Sequence, residues 1–104
     1  MDLYDVIRDE RDFQIMINEE IFFHEPLFPI LELVQYCRQW IINANTNFAY
    51  NTIESEENPL LSFMLQKEKW RISSVWQKFE CEVEFSFTEV KAFIRDIINQ
   101  VVQE

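Results

Sequence analysis

Three glutamates at period-two spacing, Glu80, Glu82 and Glu84, have the residue type and pattern closest to a chemical site in this chain. On an extended backbone alternate side chains share a face and stand about 7 Å apart. Such a row has several readings. It can be a solvated or lysine-paired face, or a linear anionic stripe that meets a cationic partner. On a sheet edge its charge would block edge-to-edge association. Carboxylates about 5–9 Å apart are also the acid and base of glycoside hydrolysis. That chemistry needs a deep sugar cleft, which a chain of 104 residues rarely builds. A second acidic group, Glu54, Glu56 and Glu57, lies in Glu54-Ser-Glu-Glu-Asn58. It lacks the alternating ligands and the sharp glycine bend of a calcium loop, so a solvated turn or a binding surface is the expectation.

The remaining ingredients of catalysis are sparse. His24 is the single histidine. Its ordinary pKa suits a general base, but its neighbour Glu25 would point to the opposite strand face and makes a poor dyad. Zinc prefers clusters of Cys and His, whereas Cys37 and Cys81 stand apart, outside any CxxC or CxxH spacing. Both fall in apolar patterns and read as core thiols. Glycine is absent altogether. That excludes the GxGxxG dinucleotide loop, the P-loop and the GxSxG elbow, which need backbone approaches that a Cβ would block. The expectation is a protein that is not an enzyme, with no catalytic residue, metal or cofactor.

Charge narrows the partners. Nineteen acidic residues against nine basic ones give a formal net charge of −10. Nucleic-acid binding depends on Lys and Arg that displace counterions, and an anionic membrane surface is an equally poor match. A basic protein is the better complement, with solubility alone as the plainer use of the charge. Tyr36 and Trp40 add aromatic candidates for such a contact, because Tyr and Trp dominate interface hot spots; as helix residues they also read as core. Composition is 48% hydrophobic and 15% aromatic, which favours one packed domain over residues 1–104. The N-terminus reads Met1–Tyr4 followed by Asp5, Arg8, Asp9 and Glu10, where a signal peptide would carry its apolar stretch. The expectation is a cytoplasmic protein, monomer or homodimer.

The elements that must position these residues follow from periodicity. Asp12–Asn18 alternates as a strand, Asn18-Glu19-Glu20 offers turn chemistry, and Ile21–His24 resumes as a strand. Leu3–Ile7 reads as another strand or a frayed helical turn. Pro29 suits the first turn of a helix from Ile30 to about Asn43. One apolar stripe of that helix holds Ile30, Leu31, Val34, Cys37 and Ile41; Leu33, Tyr36 and Trp40 form a second beside it. Strands are expected at Phe48–Ile53, Leu60–Gln66, Trp70–Gln77 and Phe79–Phe85. The last is the clearest, with Phe79, Cys81, Val83 and Phe85 inward and the glutamates outward. Ser86-Phe-Thr-Glu89 matches a capping box ahead of an amphipathic helix to Val102. Without glycine, turns must be made by Asn, Asp, Glu, Ser and Pro, as at Asn18-Glu19 and Asn58-Pro59, and tight glycine turns are not expected. The sum is an α+β fold: an antiparallel sheet of about five to six strands with two helices packed on one face, in the order β-hairpin, helix, three to four strands, helix.

The segments Asp12-Phe-Gln-Ile-Met-Ile-Asn18, Phe22-Phe-His-Glu-Pro-Leu-Phe-Pro-Ile-Leu-Glu32, Glu57-Asn-Pro-Leu-Leu61 and Trp70-Arg-Ile-Ser-Ser-Val-Trp76 resemble small acidic uncharacterised bacterial proteins. Those proteins include the immunity proteins of toxin systems. The resemblance spans most of the chain and implies a class of role, an acidic inhibitor of a basic toxin or nuclease; it transfers no binding residue. The alternatives are a homo-oligomerising module that uses the wide apolar arc of the first helix, and a small enzyme built on His24.

Overall fold

The computed structural model describes residues 3–8, 11–43, 46–52 and 55–102. The elements run β1 (Leu3–Arg8), β2 (Asp12–Ile17), β3 (Glu20–Glu25), α1 (Ile30–Ile42), β4 (Phe48–Tyr50), β5 (Leu61–Gln66), β6 (Lys69–Ser73) and α2 (Phe87–Val102). The α+β class is as expected, but the single sheet is not. The strands form two antiparallel three-stranded sheets, β1-β2-β3 and β4-β5-β6. The helices pack on each other; α2 also packs on β1 and β6, and α1 on β4, so the helical pair serves both sheets. One hydrophobic cluster runs through all of it, from Phe13 and Phe23 to Phe63, Phe85 and Ile97.

Local chemistry explains these elements. In β2 the even alternation buries Phe13, Ile15 and Ile17. The β2–β3 turn has two residues, with Asn18 at φ 52° and Glu19 at φ 68°. Two positive φ values in a two-residue loop are the mirror-image turn that matches strand twist. Lys67 at φ 58° opens the equally short β5–β6 turn. Tight hairpins therefore form without glycine, the first at the expected Asn18-Glu19 turn, and side-chain-bearing residues carry the steric cost.

Strand β3 breaks alternation. Phe22 and Phe23 are both buried, although neighbours on a strand should face apart. A register shift between Ile15 and Met16 accounts for it: Ile15 pairs with Phe23 and Met16 with Ile21, leaving Phe22 as a bulge. Helix α2 begins as predicted. Ser86 N–H donates to Glu89 Oε1 (2.8 Å) and Glu89 N–H donates to Ser86 Oγ (3.1 Å), both arms of the capping box. Val90, Phe93, Ile94 and Ile97 are its buried face. Helix α1 follows Pro29 and buries Ile30, Leu33, Val34, Cys37 and Trp40. Leu31, assigned to its apolar stripe, is instead 73% exposed.

Two predicted strands end early. Trp70–Gln77 stops at Ser73 because a turn intervenes: Trp76 N–H donates to Ser74 Oγ (3.0 Å), and Ser74 N–H to Gln77 Oε1 (3.0 Å). Trp76 is thus a half-exposed turn residue stacked on Phe23 and not a core strand residue. Phe48–Ile53 stops at Tyr50, and Ile53 lies outside the described residues.

Candidate functional site: an acidic ridge between the sheets

The segment expected as the clearest strand, Phe79–Phe85, is extended but is not a strand. It makes a single bridge to β6, with Trp70 and Phe85 exchanging N–H···O bonds of 2.9 and 2.8 Å. Beyond that bridge it peels away from β6, and the Arg71 guanidinium spans the gap by donating to the Cys81 carbonyl (3.1 Å). At its other end the bulge holds it: Lys78 N–H donates to the Phe22 carbonyl (2.8 Å), and Phe79 meets the Phe22 ring edge-on at 5.4 Å. The irregularity in β3 therefore anchors this segment between the two sheets.

The alternation survives without a strand. Cys81 and Phe85 are buried and Phe79 and Val83 pack on the core, which leaves Glu80, Glu82 and Glu84 exposed in a row. On the β2–β3 side a cleft of about 210 Å³ is lined by Glu20, Glu80 and Glu82, together with Asn18 and Val83. Among the described residues no basic side chain lines it. On the β5–β6 side a cleft of about 290 Å³ holds Arg71, Gln66 and Gln77 beside Glu80. The segment is thus an acidic ridge between two shallow clefts, and Glu20 enlarges it. Sequence pattern reveals Glu80, Glu82 and Glu84 but not Glu20, whose approach depends on the two-residue turn at Asn18-Glu19. Among the described residues none of the three ridge carboxylates is in an ion pair; the pair present is His24–Asp12.

The other predicted residues scatter. Glu56 and Glu57 are exposed on a loop, and Glu54 lies outside the described residues. Asn58 pins that loop: its Oδ1 accepts from Thr52 N–H (3.0 Å), and its Nδ2 donates to the carbonyls of Thr52 and Ser55 (both 3.1 Å). Of its two sequence readings, core and contact, Trp40 takes the core one. It is 7% exposed, edge-on to Phe48 and Trp70, and its Nε1 donates to the Thr46 carbonyl (2.8 Å), so it is a core residue and not a contact residue. Tyr36 stays half-exposed, edge-on to the buried Tyr50 at 5.0 Å, while Tyr50 donates to Glu32 (2.8 Å).

His24 does have a carboxylate partner, but it is Asp12 and not Glu25. Nε2 lies 2.7 Å from Asp12 Oδ1, across the β2–β3 pair, where residues two apart along a strand share a face. Such a pair orients an imidazole, but His24 lines none of the clefts described here. Both cysteines are free and buried, and burial raises each thiol's pKa, that of Cys37 to about 12. Neither is an activated nucleophile. Among the described residues no group of three His, Cys, Asp or Glu side chains is arranged to hold a metal ion.

Fold and ridge together define a small α+β protein that presents carboxylates on an irregular segment between two sheets. The chain belongs to the DUF7878 family, a domain of unknown function, whose model matches residues 2–104. No curated protein and no solved structure matches it. No helix among the described residues is long and apolar enough to cross a membrane.

Proposed function

We propose that this protein is a non-catalytic acidic module that binds a basic protein, in the manner of an immunity-type inhibitor of a bacterial toxin or nuclease. The observation that carries this reading is the ridge. Glu80, Glu82 and Glu84 face solvent unpaired, with Glu20 beside them, on a chain of net charge −10. Like charges held this close repel each other, and a cationic partner relieves that repulsion. A nuclease must be basic to hold phosphate, so a carboxylate ridge competes for the surface its substrate uses.

The test is affinity capture from a lysate of the source organism at low and high salt. The bait is the wild type or the triple variant Glu80→Gln/Glu82→Gln/Glu84→Gln. A basic protein retained at low salt, released by salt and lost to the triple variant is the expected result. Retention of the same protein by the triple variant would contradict the assignment to the ridge.

A second reading has its own observation. Leu27 and Leu31, each 73% exposed, border a cleft of about 690 Å³ with Arg11 and Glu32, and Ile42 at the other end of α1 is 85% exposed. These residues favour a homodimer through α1. A monomer by sedimentation at high concentration removes that reading.

A further inference from the structure

Asp5 lies on the inward face of β1 between Leu3 and Ile7 and is 6% exposed. Its Oδ2 accepts a hydrogen bond from Gln100 Nε2. The same nitrogen donates to Asp96 Oδ2 at 2.9 Å. One amide nitrogen of α2 therefore gathers an oxygen from each of two carboxyl groups on different elements. The remaining oxygen of Asp5, Oδ1, is buried with no hydrogen-bond partner among the described residues. An ionised carboxylate offers only acceptors, and left in this position it would be an uncompensated buried charge beside a second one. A protonated carboxyl has a hydroxyl to donate, and Asp96 is the acceptor it faces.

Among the described residues around Asp5 no basic side chain supplies a counter-charge. From α2 come Asp96, Gln100 and Glu89, and Glu89 is already engaged in the helix cap. From α1 comes the buried Cys37 thiol, which feels the Asp5 charge. From β2 the register partner is Ile15, which has no charge. The adjoining cleft of about 360 Å³ has Tyr4, Ala92 and Phe93 on its walls and, among the described residues, no basic side chain.

We propose that Asp5 keeps its proton and donates it to Asp96 beside Gln100, and that this hydrogen bond is a pH-sensitive latch fastening β1 to α2. While the proton is held, a carboxyl–carboxylate hydrogen bond joins the first strand to the last helix. Once it leaves, two negative charges face each other with no basic side chain beside them among the described residues, and the contact between strand and helix loosens. Burial is the first cause of proton retention and Asp96 the second, and together they raise the Asp5 pKa from 3.8 to about 8. A raised folded-state pKa means the folded protein holds a proton that the unfolded chain has released. The contribution to stability is fully present below the unfolded value of 3.8 and is lost as pH rises through about 8.

A carboxyl-resolved NMR titration combined with hydrogen exchange tests the latch, on the wild type, Asp5→Asn and Asp96→Asn. In the wild type one aspartic acid is expected to keep its proton at neutral pH, and β1 amides to lose protection as it ionises. Asp96→Asn should lower that midpoint by about one unit or more, because it removes the neighbouring charge. Asp5→Asn, whose amide donates permanently to Asp96, should keep β1 protected at alkaline pH. If every aspartate of the folded wild type titrates in the ordinary carboxylate range, the proposal is overturned. Equal β1 protection on both sides of the transition also overturns it. Should Asp5→Asn fail to fold, the wild-type and Asp96→Asn titrations decide the question.

Discussion

Each inward side chain of the Phe79–Phe85 segment sets the direction of the glutamate that follows it. Phe79, Cys81 and Val83 engage the core, and Glu80, Glu82 and Glu84 are turned out as a consequence. Two aromatic residues of α1 that read alike in sequence differ in the same way. Trp40 fills the space between Phe48, Trp70 and Phe87, whereas Tyr36 lies over Tyr50 at the surface. Trp40→Ala should therefore cost about 3–5 kcal/mol by chemical denaturation. Tyr36→Ala should cost markedly less. Equal losses would mean that the two sites are equally packed. Asp5 gives a pH prediction at this scale. Wild-type stability should fall as pH rises from about 3.8 to about 8, and Asp5→Asn should flatten that fall and melt at the higher temperature at pH 9. A variant that melts below the wild type at pH 9 would contradict a protonated Asp5.

At the scale of elements the capping box and the glycine-free hairpins can be tested directly. Ser86→Ala removes the acceptor for Glu89 N–H and should cost about 1 kcal/mol. Glu19→Gly should stabilise the protein by up to about 1 kcal/mol, because Glu19 holds φ 68° against its own Cβ. Both are read by urea denaturation; a destabilised Glu19→Gly would show that the turn is not strained. These elements also show how far sequence carries. The capping box, both helices, the β2 alternation and the β2–β3 hairpin follow from local pattern and are legible. The division into two sheets is not, because strand partners depend on contacts far apart in the chain. The Phe79–Phe85 segment keeps its alternation but lacks its ladder: past the Trp70–Phe85 bridge its Cys81 carbonyl accepts from the Arg71 side chain instead of a strand backbone. The bulge at Phe22 was visible only as an odd Phe-Phe pair, and its role as an anchor depends on Lys78 and Phe79. Asp5 did leave a signal, a carboxyl on the apolar face of Leu3–Ile7; Asp96 and Gln100, one turn apart on α2, complete the cluster only once β1 docks there.

For the whole molecule, the helical pair shared by two small sheets leaves the ridge segment between them, held by Phe22 at one end and Trp70 at the other. A net charge of −10 surrounds a surface on which the ridge glutamates are unpaired. Charge of this kind acts mainly on the rate of encounter and is screened by salt. Binding to a basic partner should weaken steeply with ionic strength, and the ridge should account for much of that slope. The most direct measurement is the dissociation constant of the captured basic protein against salt, for the wild type and for Glu80→Gln/Glu82→Gln/Glu84→Gln. A loss of about tenfold or more at low salt, with a flatter salt dependence in the triple variant, is the predicted result. Unchanged affinity and an unchanged salt slope in the triple variant would contradict a role for the ridge in binding.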